Sequence, residues 1–315
     1  MTKILVTGGA GFIGSNLVER LLSLEHISKV RVLDNFSTGN RANLIGFEGH
    51  PKYEFMEGDI RDYTTCLAAC ENMHLVSHQA ALGSVPRSIA DPLSTNAVNI
   101  TGTLNVFTAA KETGIRRVIY AASSSTYGDS TELPKVEHRI GKPLSPYAVT
   151  KYVNELYADV FANLYGMELI GLRYFNVFGP RQSPNGAYAA VIPLFLKHLL
   201  ANESPIIHGD GSTSRDFTYI ENVLQANCLA LFTENSEAVN QVYNVACGES
   251  STLNQLFTHL KNIVGSDIKA VYGNDRLGNI PHSLADISKI QTLLKYEPTV
   301  KIEEGLRRTV AVFKI

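Results

Sequence analysis

The chain has 315 residues, of which 44% are hydrophobic and 18% are charged, and a formal net charge of −2. This composition is typical of a globular protein, and the length suffices for one large core or two fused ones. The weak charge excludes a broad basic surface, so we expect no nucleic acid partner. No apolar run approaches the ~18 residues of a membrane span, and glycines from residue 8 interrupt the first apolar run. We therefore expect a cytoplasmic protein without a membrane partner.

Short β-branched runs alternate with amphipathic stretches through the first half of the chain. The predicted strands are 3–6, 30–33, 75–78, 118–121 and 169–172. The predicted helices are 12–24, 92–113 and 146–165, and the last has its own boundary signals, with Ser145 as a cap and Gly166 as an end. This alternation predicts an α/β fold with a doubly wound parallel sheet that helices cover on both faces.

The pattern of predicted elements changes after about Phe178. Turn-rich segments at 179–181 and 183–186 are followed by shorter elements and more loop. We predict a larger domain over residues 1–177 and a smaller C-terminal α/β domain over 178–315, with a segment near 214–246 returning to the larger one. The four cysteines show no paired metal-ligand spacing, and we expect no metal site.

A glycine-rich loop connects the first predicted strand to the first predicted helix. It contains glycines at positions 8, 11 and 14. Gly8 permits a sharp turn, Gly11 lets the backbone approach a pyrophosphate, and Gly14 lets the helix pack close to the strand. The N–H groups at the start of the helix then face the phosphates. The pattern predicts a Rossmann-like dinucleotide-binding fold.

Asp34 stands 20 residues after Gly14, at the end of the next predicted strand. An acid at this place binds the ribose diol of adenosine, and its charge would repel a 2′-phosphate. Asn35 and Phe36 offer no cation that would favour the phosphate, although Arg41 follows a few residues on. We therefore expect NAD rather than NADP as the cofactor.

Asp59 and Ile60 follow a third predicted strand. Both are candidates for contact with the adenine edge of the cofactor. For Asp59 a second interpretation stays open, because an aspartate at this place can also cap the next helix.

Tyr147 and Lys151 are four residues apart on the predicted helix 146–165, so their side chains lie on one face. A lysine ammonium beside a phenol lowers the pKa of the tyrosine toward neutrality, and the phenolate then acts as a base toward a substrate hydroxyl. A serine run, 123–125, follows a central strand at the edge where open α/β sheets bind ligands. Ser123 or Ser124 can relay a proton between the substrate and Tyr147.

Seven segments carry a resemblance to a known family. They are TGGAGFIGS at 7–15, LGSVPRSIADP at 82–92, AASSSTYGDS at 121–130, LSPYAVTKYVNELYADVF at 144–161, GLRYFNVFGPRQSPNGAYAAVIP at 171–193, GDGSTSRDFTYIEN at 209–222 and HSLADISK at 282–289. Over essentially its whole length the chain resembles the extended short-chain dehydrogenases/reductases, and among them bacterial UDP-N-acetylglucosamine 4-epimerases. The resemblance implies a homodimer with tightly bound NAD that inverts C4 of a UDP-hexose through a transient 4-keto sugar. The implied substrate pair is UDP-GlcNAc and UDP-GalNAc.

The resemblance also implies further site residues. Besides the glycine loop, Asp34, Asp59, Ile60 and the Tyr147–Lys151 pair, the implied cofactor contacts are Phe12, Ile13, Asn35, Gln79, Ala80, Ala81 and Tyr174. The implied substrate contacts are Asn176 for the nucleotide sugar, Ala190 and Val191 for uracil, Arg215 and Arg276 for the diphosphate, and Gly83, Ser84 and Ser125 for the sugar. Ser283 matches a position that gates substrates in epimerases, and a small side chain there leaves room for a 2-N-acetyl group.

Other functions of the same fold have to be weighed against epimerisation. A nucleotide-sugar 4,6-dehydratase of this family would carry Thr-Asp-Glu where this chain has serines at 123–125, and those carboxylates remove the C5 proton. Their absence favours an epimerase. UDP-glucose and UDP-glucuronate stay open as alternative substrates. A non-catalytic NAD-binding regulatory module is disfavoured because both Tyr147 and Lys151 are present.

Apolar residues on more than one side of the helices near 92–113 and 146–165 suggest a four-helix contact between two copies. The candidates are Leu104, Phe107, Tyr152, Leu156 and Val160. Alternatively, these residues face only their own sheet.

Overall fold

The central sheet of the computed structural model is parallel throughout, and the structure describes residues 1–185, 189–274 and 281–313. Its strands in chain order are β1 (Thr2–Thr7), β2 (Ile27–Asp34), β3 (Tyr53–Glu57), β4 (Leu75–His78), β5 (Arg117–Ser123), β6 (Glu168–Tyr174), β7 (Val177–Phe178), β8 (Ile206–His208), β9 (Ser214–Arg215), β10 (Thr218–Tyr219), β11 (Gln241–Val245), β12 (Ser251–Thr252) and β13 (Val271–Gly273). The seven-stranded sheet has the order β11-β6-β5-β4-β1-β2-β3. From β1 the chain adds β2 and β3 toward one edge of the sheet, and it then adds β4, β5 and β6 toward the other edge. This strand order is that of a doubly wound Rossmann fold and confirms the predicted fold class.

Helices cover both faces of this sheet. They are α1 (Phe12–Leu22), α2 (Tyr63–Cys70), α3 (Val85–Ala90), α4 (Pro92–Asn96), α5 (Thr103–Glu112), α6 (Pro146–Tyr165), α7 (Val191–Leu200), α8 (Ile220–Phe232), α9 (Leu253–Val264), α10 (Ser288–Leu294) and α11 (Ile302–Phe313). Among the described residues no helix is long and apolar enough to cross a membrane.

The strand sequences explain the two-sided burial. Along β1, Ile4 and Val6 belong to the core on one face of the sheet, and Leu5 belongs to the core on the other face. All three side chains are at most 1% exposed. Because neighbouring residues of a strand point to opposite faces, only a continuous apolar run can fill both cores.

The helix α6 has the predicted bounds. The Ser145 hydroxyl accepts the backbone N–H of Ala148 at 3.1 Å, and Pro146 occupies the first turn. Gly166 ends the helix in the left-handed conformation, with φ of 65°. A buried ion pair fixes this helix to the sheet, since Glu155 accepts both Nε and Nη2 of Arg173 on β6, at 2.9 and 2.7 Å.

Two other predicted helices differ from the structure. Helix α1 ends at Leu22 rather than at residue 24. The predicted helix 92–113 is divided by a π-helical turn, Ala97–Gly102, between α4 and α5. Within this turn the Asn99 side chain accepts the backbone N–H of Leu82 at 2.8 Å and donates to the Leu82 carbonyl at 3.1 Å. Side-chain periodicity cannot reveal a π-helical turn of this kind.

Residues beyond 178 contribute to the main sheet. Strand β11 pairs in parallel with β6, from Gln241 opposite Ile170 to Val245 opposite Tyr174. The remaining short strands form three separate pairs, β7 with β10, β8 with β13 and β9 with β12. A division into domains at residue 177 stays a prediction, and a returning segment near 214–246 would include β11.

Candidate active site

The glycine loop between β1 and α1 is shaped by close backbone contacts. Gly8 has φ of +72°, and a Cβ on it would stand 2.6 Å from the backbone nitrogen of Ala80. A Cβ on Gly14 would stand 2.1 Å from the carbonyl oxygen of Gly8. Side chains at these two positions would therefore clash with main-chain atoms that have no room to move. Because the N-cap residue of α1 is Gly11, no side chain caps the first N–H groups of the helix, and its first turn holds no acidic residue. The positive N-terminal end of α1 therefore suits an anion.

A cavity lies at the carboxyl ends of the parallel strands, next to this loop. Most of the predicted cofactor residues line it, namely Gly8, Gly11, Phe12, Ile13, Asp34, Asn35, Asp59, Ile60, Gln79, Ala80 and Ala81, together with Gly83 from the predicted sugar pocket. Its wall also contains residues that the sequence did not indicate, namely Ser37, Thr38, Gly58 and Val98. Ser37 and Thr38 follow Asp34 closely enough to have been candidates, whereas Val98 reaches the cavity only through the π-helical turn.

Asp34 is held rigidly at the wall of this cavity. Its carboxylate accepts the backbone N–H groups of Ala10 at 2.9 Å and of Phe36 at 2.8 Å. Burial raises the pKa of Asp34, and these two hydrogen bonds oppose the rise. The next cation after Asp34 along the chain, Arg41, pairs with Glu57 at 2.6 Å and lies over the Phe36 ring. Arg41 thus already has an anionic partner, which weakens the case for Arg41 as a ligand of a 2′-phosphate.

Asp59 does not cap the following helix. Asp62 does so, accepting the N–H of Thr64 at 3.0 Å. Asp59 instead accepts hydrogen bonds from Arg61 and from the side-chain amide of Asn35 at 2.8 Å, and the Arg61 guanidinium lowers the pKa of Asp59 to about 2. The structure therefore places Asp59 and Asn35 side by side on the cavity wall, and the capping interpretation is wrong.

Tyr147 and Lys151 lie below the end of β5, as their spacing predicts. The Ser123 hydroxyl lies close enough to the Tyr147 phenol to lower the pKa of that phenol. Lys151 is 4% exposed and donates from Nζ to the carbonyl of Ala121 at 2.8 Å, with the same nitrogen 5.9 Å from the centre of the Tyr147 ring. Ser125 donates its backbone N–H, at 3.1 Å, and its hydroxyl, at 2.9 Å, to the Ser123 oxygen. Ser124 follows Ser123 and begins a short 3₁₀ turn.

The expected lowering of the Tyr147 pKa by Lys151 is wrong for this chain. Burial raises the pKa of Tyr147, and the neighbouring Ser123 hydroxyl only partly opposes that rise. Burial also lowers the pKa of Lys151 to about 8, against the opposing effect of Glu155. The causes that shift the pKa of Tyr147 are burial and Ser123, and Lys151 donates to the Ala121 carbonyl.

Tyr174 does not line the cavity next to the glycine loop but is hydrogen-bonded to Gln79, which does. Its hydroxyl donates to Oε1 of Gln79 at 3.0 Å and accepts from the side-chain amide of Asn227 at 2.9 Å. Gln79 lines the cavity, whereas Asn227 lies on α8. The sequence did not indicate Asn227, because nothing local connects helix α8 with the end of β4.

A second cavity contains part of the predicted substrate set. Asn176, Val191 and Arg215 line it together with Phe217 and apolar residues of α7 and β8. Ala190 is the residue immediately before α7. Burial lowers the pKa of Arg215, and its Nη1 donates to the carbonyls of Ser214 at 2.8 Å and Pro281 at 3.3 Å. Arg276 lies outside the described residues.

Ser283 and Ser84 are placed by backbone contacts. The N–H of Ser283 donates to the carbonyl of Ser214 at 3.1 Å, so Ser283 lies beside the strand that carries Arg215. The Ser84 hydroxyl caps α3 by accepting the N–H of Arg87 at 3.3 Å. The carboxylate of Asp216, the residue after Arg215, accepts backbone N–H groups of other segments.

These features define a class of protein: a Rossmann-fold enzyme with a dinucleotide cavity beside a serine–tyrosine–lysine group. The model of the NAD-dependent epimerase/dehydratase family matches residues 4–246, and the chain belongs to this family. It is 36% identical to UDP-glucose 4-epimerase of Mycolicibacterium smegmatis, over 99% of this chain and 98% of the relative.

Two solved structures are similar over nearly the whole chain. UDP-N-acetylglucosamine 4-epimerase of Methanobrevibacter ruminantium M1, in complex with UDP-N-acetylmuramic acid, has 42% identity and a TM-score of 0.94, covering 99% of this chain and 98% of that one. UDP-glucose 4-epimerase of Thermotoga maritima, with UDP-glucose, has 37% identity and a TM-score of 0.93, covering 99% of both chains. The predictions of an NAD-dependent enzyme and of a nucleotide-sugar 4-epimerase are confirmed.

The choice of cofactor can be tested at Asp34. Asp34→Asn should lower the affinity for NAD by roughly 10-fold to 100-fold. The amide has no charge for the ribose diol, and its NH₂ group cannot accept the backbone N–H of Ala10 or Phe36 that it would face. NAD in unfolded purified protein and NAD binding to stripped protein are the measurements. Arg41→Ala is the control and should retain NAD. Recovery of mainly NADP from the wild type would contradict the role of Asp34.

Proposed function

We propose that this UDP-sugar 4-epimerase interconverts UDP-GlcNAc and UDP-GalNAc. The observation that supports epimerase chemistry is the group formed by Ser123, Tyr147 and Lys151, which lies at the carboxyl edge of the sheet that also carries the dinucleotide cavity. The preference for an N-acetylated sugar is proposed from the small side chain of Ser283, which leaves room for a 2-N-acetyl group.

The cavity fits NAD by its shape and by its donors. The glycine loop leaves backbone N–H groups at the start of α1 for the pyrophosphate, and Asp34 provides a fixed carboxylate for the ribose diol. Bound NAD supplies the acceptor and donor of a hydride at C4 of the sugar. Lys151, with its Nζ on the Ala121 carbonyl, is positioned to bind the nicotinamide ribose.

Tyr147 is the proposed base for the C4 hydroxyl. The Ser123 hydroxyl lies beside its phenol, and we propose that a proton taken from the sugar passes between these two groups. The raised pKa of Tyr147 favours the protonated phenol in the free enzyme. The positively charged nicotinamide ring of bound NAD would lower the pKa of the phenol and favour phenolate. Tyr147 would therefore be a stronger base when the cofactor site is occupied.

Side chains at 124 and 125 limit what the oxidised sugar can do next. Both are serines, so neither supplies the carboxylate that dehydration at C5 and C6 requires. Return of the hydride is then the available outcome. A hydride returned to the opposite face inverts C4, which requires that the sugar turn while the UDP part stays bound.

The second cavity is the proposed site of the UDP part. Arg215 offers a guanidinium fork for the diphosphate and Asn176 an amide for the nucleotide sugar, while Val191 at the start of α7 offers an apolar contact for uracil. Gly83, Ser84 and Ser125 are the proposed neighbours of the sugar. We include Arg276 as a second diphosphate ligand on the resemblance alone.

Tyr147→Phe tests the base. Turnover should fall by about 10²-fold to 10⁴-fold, the usual contribution of general base catalysis, while NAD content stays unchanged. Tyr157→Phe, on the same helix, is the matched control and should retain turnover. Initial rates with UDP-GlcNAc are the measurement. A Tyr147→Phe variant with turnover near the wild type would remove Tyr147 from the mechanism.

Ser283→Tyr tests the substrate preference. A tyrosine would fill the space of an acetamido group, and overpacking of a close-fitting site costs about 1–3 kcal/mol, which corresponds to roughly 5-fold to 150-fold in relative rate. We expect kcat/KM to fall much more for UDP-GlcNAc than for UDP-glucose. Equal losses would mean that Ser283 does not gate the pocket. A wild type with higher efficiency on UDP-glucose or UDP-glucuronate would contradict the proposed substrate and leave the epimerase intact.

We further propose that the protein is a homodimer formed through α6 and the helices beside it. Val149, Leu156, Val160 and Leu164 form an exposed stripe along α6, with exposures of 46% to 69%, and Leu93 on neighbouring α4 is 82% exposed. A solvent-facing apolar stripe at helical spacing is typical of a helix–helix interface. Phe107 is not part of it, because it is fully buried against Tyr120 and Phe161 of its own chain, so this candidate contact was wrong.

The double substitution Leu156→Arg and Val160→Arg should convert the dimer into a monomer, since it places two charges within an apolar contact. The mass in solution, measured by light scattering at micromolar concentration, checks this. Val312→Arg, at a similarly exposed residue of α11, is the control and should leave the dimer intact. A monomeric wild type would rule out the dimer.

A further inference from the structure

Asp216, the residue after Arg215, carries a carboxylate for which the proposed chemistry has no direct use. It is 0% exposed. Oδ1 accepts the backbone N–H of Cys247 at 3.0 Å, and Oδ2 accepts those of Gly248 at 3.0 Å and Ala285 at 3.3 Å. Burying a charged group costs free energy unless its hydrogen bonds are satisfied, so three donors on one carboxylate indicate a specific structural task.

The donors come from separate parts of the chain. Cys247 and Gly248 directly follow β11, the last strand of the main sheet, whereas Ala285 belongs to the segment that carries Ser283. A third link runs through the main chain of the same residue, because the side-chain amide of Asn176 donates to the Asp216 carbonyl at 3.1 Å. One residue thus contacts the end of the sheet and two segments with proposed substrate roles.

The segment of Ser283 is also bonded directly to the strand of Arg215. The N–H of Ser283 donates to the Ser214 carbonyl at 3.1 Å, and the Ser214 hydroxyl is hydrogen-bonded to Nδ1 of His282 at 2.9 Å. These contacts and the Asp216 carboxylate together fix the separation between Arg215 and Ser283.

We propose that Asp216 is a positioning residue for UDP-sugar binding: its carboxylate holds the strand of Arg215 against both the main sheet and the segment of Ser283. The diphosphate ligand and the wall of the sugar pocket then keep a fixed spacing before substrate arrives. The inference rests on the proposed roles of Arg215 and Ser283. It places Asp216 outside catalysis, since the reacting atoms lie at Tyr147.

Asp216→Asn is the direct test. The amide has the same shape but only one acceptor oxygen, so its NH₂ group opposes at least one of the three backbone N–H groups. An unsatisfied buried donor weakens the binding-competent arrangement, and we expect the Kd for UDP to rise about 10-fold to 100-fold. The KM for UDP-GlcNAc should rise in parallel, while kcat changes by less than about threefold. Calorimetry with UDP and steady-state rates are the measurements.

Thr309→Val is the control for general loss of stability. Thr309 is 1% exposed and donates to the Gly305 carbonyl at 2.7 Å. This variant loses one buried hydrogen bond and should bind UDP as the wild type does. NAD content is measured in each variant. A Kd for UDP that is unchanged in Asp216→Asn, a loss confined to kcat, or a matching loss of NAD would each overturn the proposal.

If Asp216→Asn does not fold, His282→Ala is the second variant, because it removes the hydrogen bond between the exposed His282 side chain and Ser214. An unchanged Kd for UDP in His282→Ala overturns the proposal. A fall in UDP affinity of about 2-fold to 10-fold supports it. If the wild type binds UDP but does not epimerise UDP-GlcNAc, the proposed substrate fails, and the UDP measurement still decides the role of Asp216.

Discussion

Helix α1 can pack against β1 because residue 14 has no side chain. A Cβ there would stand 2.1 Å from the carbonyl oxygen of Gly8, and the clash would push the helix away from the sheet. The start of α1 then would no longer face the cavity, and neither its N–H groups nor its dipole would serve a phosphate. Cofactor binding, the position of Asp34 and the use of the carboxyl edge of the sheet all depend on this close approach.

The proposed catalytic group depends on a second constraint, the attachment of α6 to the sheet. Tyr147 and Lys151 lie in the first half of α6, and the pair of Glu155 and Arg173 connects the middle of that helix to β6. The pair is 4–6% exposed at its side chains, so its loss would leave an uncompensated buried charge. Lys151 adds a hydrogen bond to β5 through the Ala121 carbonyl. Such fixed geometry suits a proton transfer, where small displacements reduce the rate strongly.

The substrate half is held differently. Its proposed ligands come from short strands and loops, and a single buried carboxylate at Asp216 connects several of them. Anchoring the UDP part while leaving the sugar loosely held is what rotation of a 4-keto intermediate requires. The proposed cofactor site thus lies on long elements, whereas the proposed substrate site lies on short segments that a few hydrogen bonds hold together.

The sequence alone determined the local features. Glycine spacing, the acid at the end of β2, and the capped helix with Tyr147 and Lys151 on one face each follow from rules that act over a few residues, and the doubly wound sheet follows from their alternation. Tertiary structure decided what depends on distant segments. The pKa of Tyr147 is set by burial and by Ser123, and Phe107 is covered by its own core. Asp59 pairs with Arg61 rather than capping a helix, and Asn227 reaches the end of β4 from helix α8. Desolvation and long-range hydrogen bonds exist only once the chain is folded, so no local pattern of residues could have revealed them.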